Sequence, residues 1–230
     1  MLKNALADKA IHSITKFTTL DYPDHLASIF WFAKCNMACP YCYNPQIVRE
    51  TGTIDLECAL QFLRSRQGRL DGVVLSGGEC TLYPHLELFC EAIKALGYKI
   101  KIDTNGTNPE LLERLIDQKL VDYIALDYKA PKQQYETLTH HRHFERFEQS
   151  LTLLIQSQFP FEVRTTLHRD LLTTADINAI IEDLHVKGYQ GVYYLQNYLH
   201  VTETMGHTAP QIRAFDQTEL LSLLPIAFRN

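Results

Sequence analysis

Along this chain the spacing of apolar and polar positions changes period again and again. Short runs rich in β-branched and aromatic residues lie at 26–33, 72–75, 99–103, 123–127, 161–167 and 191–196. Between them, apolar residues recur every three or four positions. The first pattern predicts strands and the second predicts amphipathic helices. The sharpest helical stretch is 86–96, with Leu86, Phe89, Cys90 and Ile93 on one face and Gly97 placed to end it. Another begins after Thr174, with Ile177, Ile180, Ile181 and Leu184 in register and Gly188 as its stop. Stretches 56–66, 109–118 and 143–157 supply the others, and a short final helix is expected around 218–223, after a loop at 202–211.

Six strands separated by helices predict an α/β fold whose parallel sheet is joined by right-handed crossovers. The units are too few for a closed eight-fold barrel. A partial (β/α)6 barrel of parallel strands with outer helices is the expectation, and periodicity by itself leaves a flat doubly wound sheet open. No repeat, low-complexity tract or linker interrupts the 230 residues, so one domain is expected, with a core at about 11–200 and a C-terminal loop and helix at 201–230.

Composition narrows the partners. A net charge of −5 gives no global basic field for a phosphate backbone, which argues against a nucleic-acid binder. The longest apolar run, 26–33, is far short of the roughly 20 residues of a membrane span. Asp8 falls where a signal peptide needs an apolar stretch. A cytoplasmic protein is the expectation.

Six cysteines are present, and three crowd into Cys35-Asn36-Met37-Ala38-Cys39-Pro40-Tyr41-Cys42. Nothing indicates secretion, so metal or cluster ligation is a better reading than disulfides. Three thiolates cannot close a tetrahedral zinc site without a fourth ligand, for which His12 and His25 are candidates. An iron–sulfur cluster also takes soft thiolates, and three of them would leave one iron of a four-iron cube open for chemistry.

In parallel α/β folds reactive groups gather at the carboxyl ends of strands. The cysteine loop follows the first predicted strand, and Ser76-Gly77-Gly78-Glu79 follows the second. Asp103-Thr104-Asn105-Gly106 ends the third, Asp127-Tyr128-Lys129 the fourth, Arg164 lies in the fifth and Gln196 ends the sixth. The glycine pair lets a ligand approach the main chain, and Glu79 offers a carboxylate to an ammonium group.

With these residues in this order the sequence resembles the radical S-adenosylmethionine (SAM) superfamily. Its triple matches the Cys-x3-Cys-x2-Cys signature, and Ser76-Gly77-Gly78-Glu79 resembles the segment that holds the methionine ammonium. The resemblance runs from about Ile11 to Gln196 and is greatest to glycyl-radical-enzyme activases, in particular those of anaerobic ribonucleoside-triphosphate reductase. It is carried by Thr19-Leu20-Asp21-Tyr22-Pro23, Cys39-Pro40-Tyr41-Cys42 with Asn44-Pro45, Asp103-Thr104-Asn105-Gly106 and Leu126-Asp127-Tyr128-Lys129.

The resemblance implies a 4Fe-4S cluster on Cys35, Cys39 and Cys42, with SAM on the fourth iron. One electron then cleaves SAM to a 5′-deoxyadenosyl radical, which takes a hydrogen atom from a glycine of the partner reductase. It implies SAM contacts by Tyr41, Ser76, Gly77, Gly78, Glu79, Asp103, Asn105, Lys129, Arg164 and Gln196, and no catalytic side chain beyond the cofactors. As in pyruvate formate-lyase activases, a monovalent cation would sit among Asp103, Thr104, Asp127 and the carbonyl of Ala125. An electron donor such as flavodoxin or ferredoxin is also implied.

The chain departs from activases in carrying Tyr43, where His commonly follows the third Cys, and no second cysteine cluster follows. Cys80 reads as a small buried residue, and Cys58 and Cys90 as core. The 140–143 tract, with three His, reads as a solvated loop entering a helix. Three alternatives stay open: an activase of another glycyl radical enzyme such as pyruvate formate-lyase, a small-molecule enzyme such as 7-carboxy-7-deazaguanine synthase, and a non-catalytic zinc-binding adaptor.

Overall fold

A computed structural model describes residues 7–201, 203–212 and 215–229. Eight strands form one sheet in chain order: β1 (Ile11–Thr18), β2 (Ala27–Phe32), β3 (Gly72–Gly77), β4 (Lys99–Thr104), β5 (Tyr123–Asp127), β6 (Phe161–Leu167), β7 (Tyr193–Asn197) and β8 (Ile226–Arg229). β1 runs antiparallel to β2, whereas β2–β3, β3–β4, β6–β7 and β7–β8 are parallel pairs. The fold is α/β with a mostly parallel sheet. Its helices are α1 (Pro45–Arg49), α2 (Leu56–Arg64), α3 (Leu86–Ala95), α4 (Pro109–Asp117), α5 (Lys132–Thr139), α6 (Phe144–Ser157) and α7 (Thr174–Val186). None of the described helices is long and apolar enough to cross a membrane.

The six predicted strands are β2 to β7, and β1 and β8 extend the sheet at either end. β8 follows the stretch 218–223, where a final helix was expected. Only one 3-10 turn forms there, at Gln217–Glu219, with the Asp216 side chain accepting from Thr218 N–H. Proline disfavours helical angles in the residue before it, and the Pro225 carbonyl accepts from Tyr193 N–H at 2.8 Å as β8 starts. Thr202, the first residue of the expected loop, lies outside the described residues, as do residues 1–6.

The chain divides into two compact units. The first takes the chain up to Asn36 together with 46–104 and 110–124. There Ile29 and Phe30 of β2, Val73 to Leu75 of β3 and Ile100 and Ile102 of β4 are buried with Leu60 and Leu63 of α2 and Phe89 and Ile93 of α3. The Phe30 and Phe89 rings stack at 6.0 Å. α2 starts where Asp55 caps it, its carboxylate accepting from Cys58 N–H at 2.7 Å. Its buried face is Leu56, Ala59, Leu60 and Leu63, and Cys58 falls off that stripe and is exposed, contrary to the core position expected for it. Cys90 of α3 is buried as expected.

The second unit comprises 37–45, 105–109 and 125 onward. α7 carries a reciprocal capping box between Thr173 and Asp176 and buries Ile177, Ile180, Ile181 and Leu184. Tyr128 packs on Phe147 of α6 with ring centroids 4.5 Å apart. His140 ends the turn after α5 in a left-handed conformation, and Arg142 and His143 are exposed ahead of α6.

Candidate functional site

In the first unit the end of β3 is pressed against the segment that leads into Cys35. Gly77 has φ +117, and a β-carbon there would stand 2.5 Å from the Phe32 main chain. At Gly78 a β-carbon would stand 2.0 Å from the Lys34 carbonyl oxygen. Glycine is therefore required at both positions. Gly78 N–H donates to Phe32 O at 2.8 Å and Glu79 N–H to Lys34 O at 2.9 Å, so the turn straps residues 32–34 in place.

The Glu79 carboxylate is buried, and its Oε1 accepts from Thr81 N–H (3.1 Å), Thr81 Oγ1 (2.6 Å) and Thr104 Oγ1 (2.8 Å). A carboxylate out of water needs such donors, and this set fixes its orientation. Asp103 Oδ2 accepts from Ser76 Oγ at 3.1 Å, while Oδ1 is paired with the ammonium of Lys101, a side chain only 1% exposed. The Cys80 thiol donates to the carbonyls of Leu75 and Asp103, and burial pushes its pKa well up, so it packs as the small buried residue expected.

The second unit holds Cys39 and Cys42, with Cys42 N–H donating to Cys39 O at 3.0 Å. Cys39 is buried; burial raises its pKa, against the pull of the Lys129 ammonium. Tyr41 is buried with its hydroxyl against the Cys39 thiol, and burial first, then the nearby Cys39, holds that hydroxyl neutral far above its usual range. The Lys129 ammonium lies 6.0 Å from the Tyr41 ring centroid and donates to Asp127 Oδ2 at 3.0 Å. Arg164 Nε and Nη2 both reach Asp127 Oδ1 at 2.9 Å. Burial alone would raise the Asp127 pKa, but Arg164 and Lys129 outweigh it and hold the carboxyl below its ordinary value.

Two docking contacts on this loop were not foreseen. The first uses the stretch beyond β7: Met205 N–H donates to Cys42 O (3.1 Å), Gly206 N–H to Pro40 O (2.9 Å) and Thr208 Oγ1 to Pro40 O (2.8 Å). The second is Tyr43, which stacks on Tyr198 at 5.5 Å and accepts from Leu199 N–H at 2.9 Å. Long-range pairs of this kind leave no periodic signal. Asn105 builds a turn, its Oδ1 accepting from Thr107 N–H (3.1 Å) and Thr107 Oγ1 (2.7 Å). Gln196 stands opposite Thr166 near the end of β7, and Ala125 is fully buried in β5.

The donor set fits an iron–sulfur cluster better than a zinc ion. None of the six cysteines is in a disulfide. Among the described residues no three His, Cys, Asp or Glu side chains are gathered for a single metal ion. His25 Nδ1 lies 2.6 Å from Pro23 O, and His12 pairs with Ser13 and Glu50, so both candidate zinc histidines are engaged elsewhere. A four-iron cube presents its irons at separate corners, so its thiolates stand farther apart than those on one zinc. A monovalent cation fits less well, because Asp103 is paired with Lys101, Asp127 with Arg164 and Lys129, and the Thr104 hydroxyl with Glu79.

Comparison with known proteins agrees with this chemistry. The model of the Radical SAM superfamily matches residues 29–184. A protein of Methanocaldococcus jannaschii that carries the name of a glycyl-radical enzyme activating enzyme is 35% identical over 131 residues, 55% of this chain and 52% of the relative. The 7-carboxy-7-deazaguanine synthase of Neisseria meningitidis serogroup B is 33% identical over 97 residues, 42% of this chain and 41% of the relative. The chain spans about half the length of the curated relatives it matches. The crystal structure of Streptococcus suis SuiB bound to S-adenosylmethionine shares the fold, with a TM-score of 0.66 at 16% identity over 88% of this chain and 52% of that one. The chain belongs to the radical SAM superfamily.

Proposed function

We propose that this chain is a glycyl-radical-enzyme activase whose protein substrate is an anaerobic ribonucleoside-triphosphate reductase. The observation that carries the reading is the cysteine triple Cys35-x3-Cys39-x2-Cys42, outside any disulfide and entered from a segment strapped by the Gly77–Gly78 turn. The similarity to the M. jannaschii relative supports activase over other radical SAM chemistry. When bound, the 4Fe-4S cluster and SAM would supply one-electron reductive cleavage of SAM and, through it, abstraction of one hydrogen atom from a glycine Cα. The electron comes from a reduced flavodoxin or ferredoxin in the cytoplasm.

The protein's own part is placement. Cys35, Cys39 and Cys42 would hold the cluster. Glu79, oriented by Thr81 and Thr104, would receive the SAM ammonium at the end of the Ser76-Gly77-Gly78 turn. Lys129 and Arg164 present cations to the SAM carboxylate and polar edge; Tyr41, Asp103, Asn105 and Gln196 complete the proposed contacts. Residues 1–230 act together as one radical SAM domain in this reading.

The test is anaerobic reconstitution with iron and sulfide, then SAM and reductant. Wild type is expected to release 5′-deoxyadenosine and Cys39→Ala none; equal amounts from both would overturn the reading. Mixing with a reductase should give a glycyl-radical EPR signal. A second reading, a 7-carboxy-7-deazaguanine synthase, rests on the similarity to the Neisseria enzyme. It predicts that 5′-deoxyadenosine formation rises with a small heterocyclic substrate and that no glycyl signal appears.

A further inference from the structure

Lys101 lies in β4 between Ile100 and Ile102, both fully buried. A lysine flanked in this way would ordinarily point to solvent. Here both faces of the strand are covered, and the Lys101 side chain is 1% exposed. Two residues apart on one strand, Lys101 and Asp103 share a face, and their ammonium and carboxylate are paired. The other carboxylate oxygen accepts from Ser76 Oγ at 3.1 Å, across from β3. Asp103 is thereby fixed at the end of β4, one residue before the Thr104 hydroxyl that holds Glu79.

We infer that Lys101 is a positioning residue that supplies from within the chain the positive charge a bound monovalent cation would supply at Asp103, so that SAM binding here is independent of sodium and potassium. A buried ammonium is stable only when paired, so Lys101 cannot swing to water and leave Asp103 to an ion without a large desolvation cost. An ion on the same carboxylate would face that ammonium with little water between, and like charges at such range repel. In the second unit the other carboxylate named for the ion, Asp127, is likewise held by two protein cations, Arg164 and Lys129. The inference rests on the proposed SAM site.

The experiment measures SAM binding by anaerobic equilibrium dialysis of cluster-loaded protein, in tetramethylammonium buffer with or without added potassium. It also measures melting of the cluster-free protein in the same buffers. Wild type is expected to show an affinity that changes less than about twofold with potassium and a melting temperature that does not move. Lys101→Met is expected to bind SAM at least about tenfold more weakly without potassium and to recover affinity and melting temperature when potassium or ammonium is added. Lys101→Arg, which keeps the charge, should behave as wild type. A wild type whose affinity rises about tenfold with potassium overturns the inference, whether or not Lys101→Met folds. So does a folded Lys101→Met that no small cation rescues. A loaded wild type that binds no SAM in any buffer overturns the SAM reading itself, and this inference with it.

Discussion

At Gly78 the first atom of any side chain would collide with main chain, since the Lys34 carbonyl oxygen lies 2.0 Å from the β-carbon position. That oxygen already accepts from Glu79 N–H, so it cannot move without breaking the strap ahead of Cys35. Gly78→Ala is therefore expected to cost about 1–3 kcal/mol in urea unfolding and to lower iron incorporation on reconstitution. A variant that takes up iron as wild type does would show that the strap has no part in presenting the thiols. The sequence announces this residue because a glycine pair after a strand is visible in one dimension. It also announces the thiols, whose spacing is local. Lys101 was illegible for the opposite reason: a lysine between two isoleucines in a strand has the alternation of a half-exposed edge, and only the cover on the second face reveals it as buried. Cys58 misled through the same one-dimensional view, lying two positions along from Leu56 and so to the side of the buried stripe of α2.

Among the elements, α7 shows most directly how a start signal becomes stability. Thr173 Oγ1 accepts from Asp176 N–H at 3.2 Å, and the Asp176 carboxylate returns to Thr173 N–H at 2.8 Å. Thr173→Ala should destabilise the protein by roughly 1 kcal/mol, read from a denaturation midpoint, while leaving iron content and SAM binding unchanged. Loss of cofactor binding would mean that α7 reaches the site. The six inner strands and the longer helices were readable because each is a run of one period bounded by turn residues. β1 and β8 were not. β1 buries only Ile11 fully, and all four residues of β8 are half-buried, so neither carries a strong alternation. β8 forms because β7 offers it a partner, with Tyr193 opposite Ile226 and Leu195 opposite Phe228.

Taken whole, the protein has stability limits set by acid and by alkali. Asp55 is held below its ordinary pKa by Cys58 N–H, Glu87 by Arg114 and Asp216 by Thr218, while the cations around Asp127 outweigh its burial. A depressed folded pKa gives stability that is present above the unfolded value, about 4, and is lost as pH falls through the folded one. In the other direction burial raises Tyr128, Tyr189 and Tyr193, so their contribution is present below the unfolded value of about 10 and is lost as pH rises beyond it. His141, lowered by burial, and the buried Cys80 and Cys90 thiols, raised by burial, narrow the window, so melting temperature should be level from about pH 7 to 8 and fall on both sides. A continuous decline from about pH 5 to 9 would contradict this. The hydrogen bonds from Met205, Gly206 and Thr208 to Cys42 and Pro40 join residues separated by some 163 to 168 positions. Because a ribosome makes the chain from its amino end, the cysteines emerge long before the residues that clasp them. The loop therefore waits unclasped through most of translation, and a polypeptide released before Met205 would never gain the three bonds that hold it.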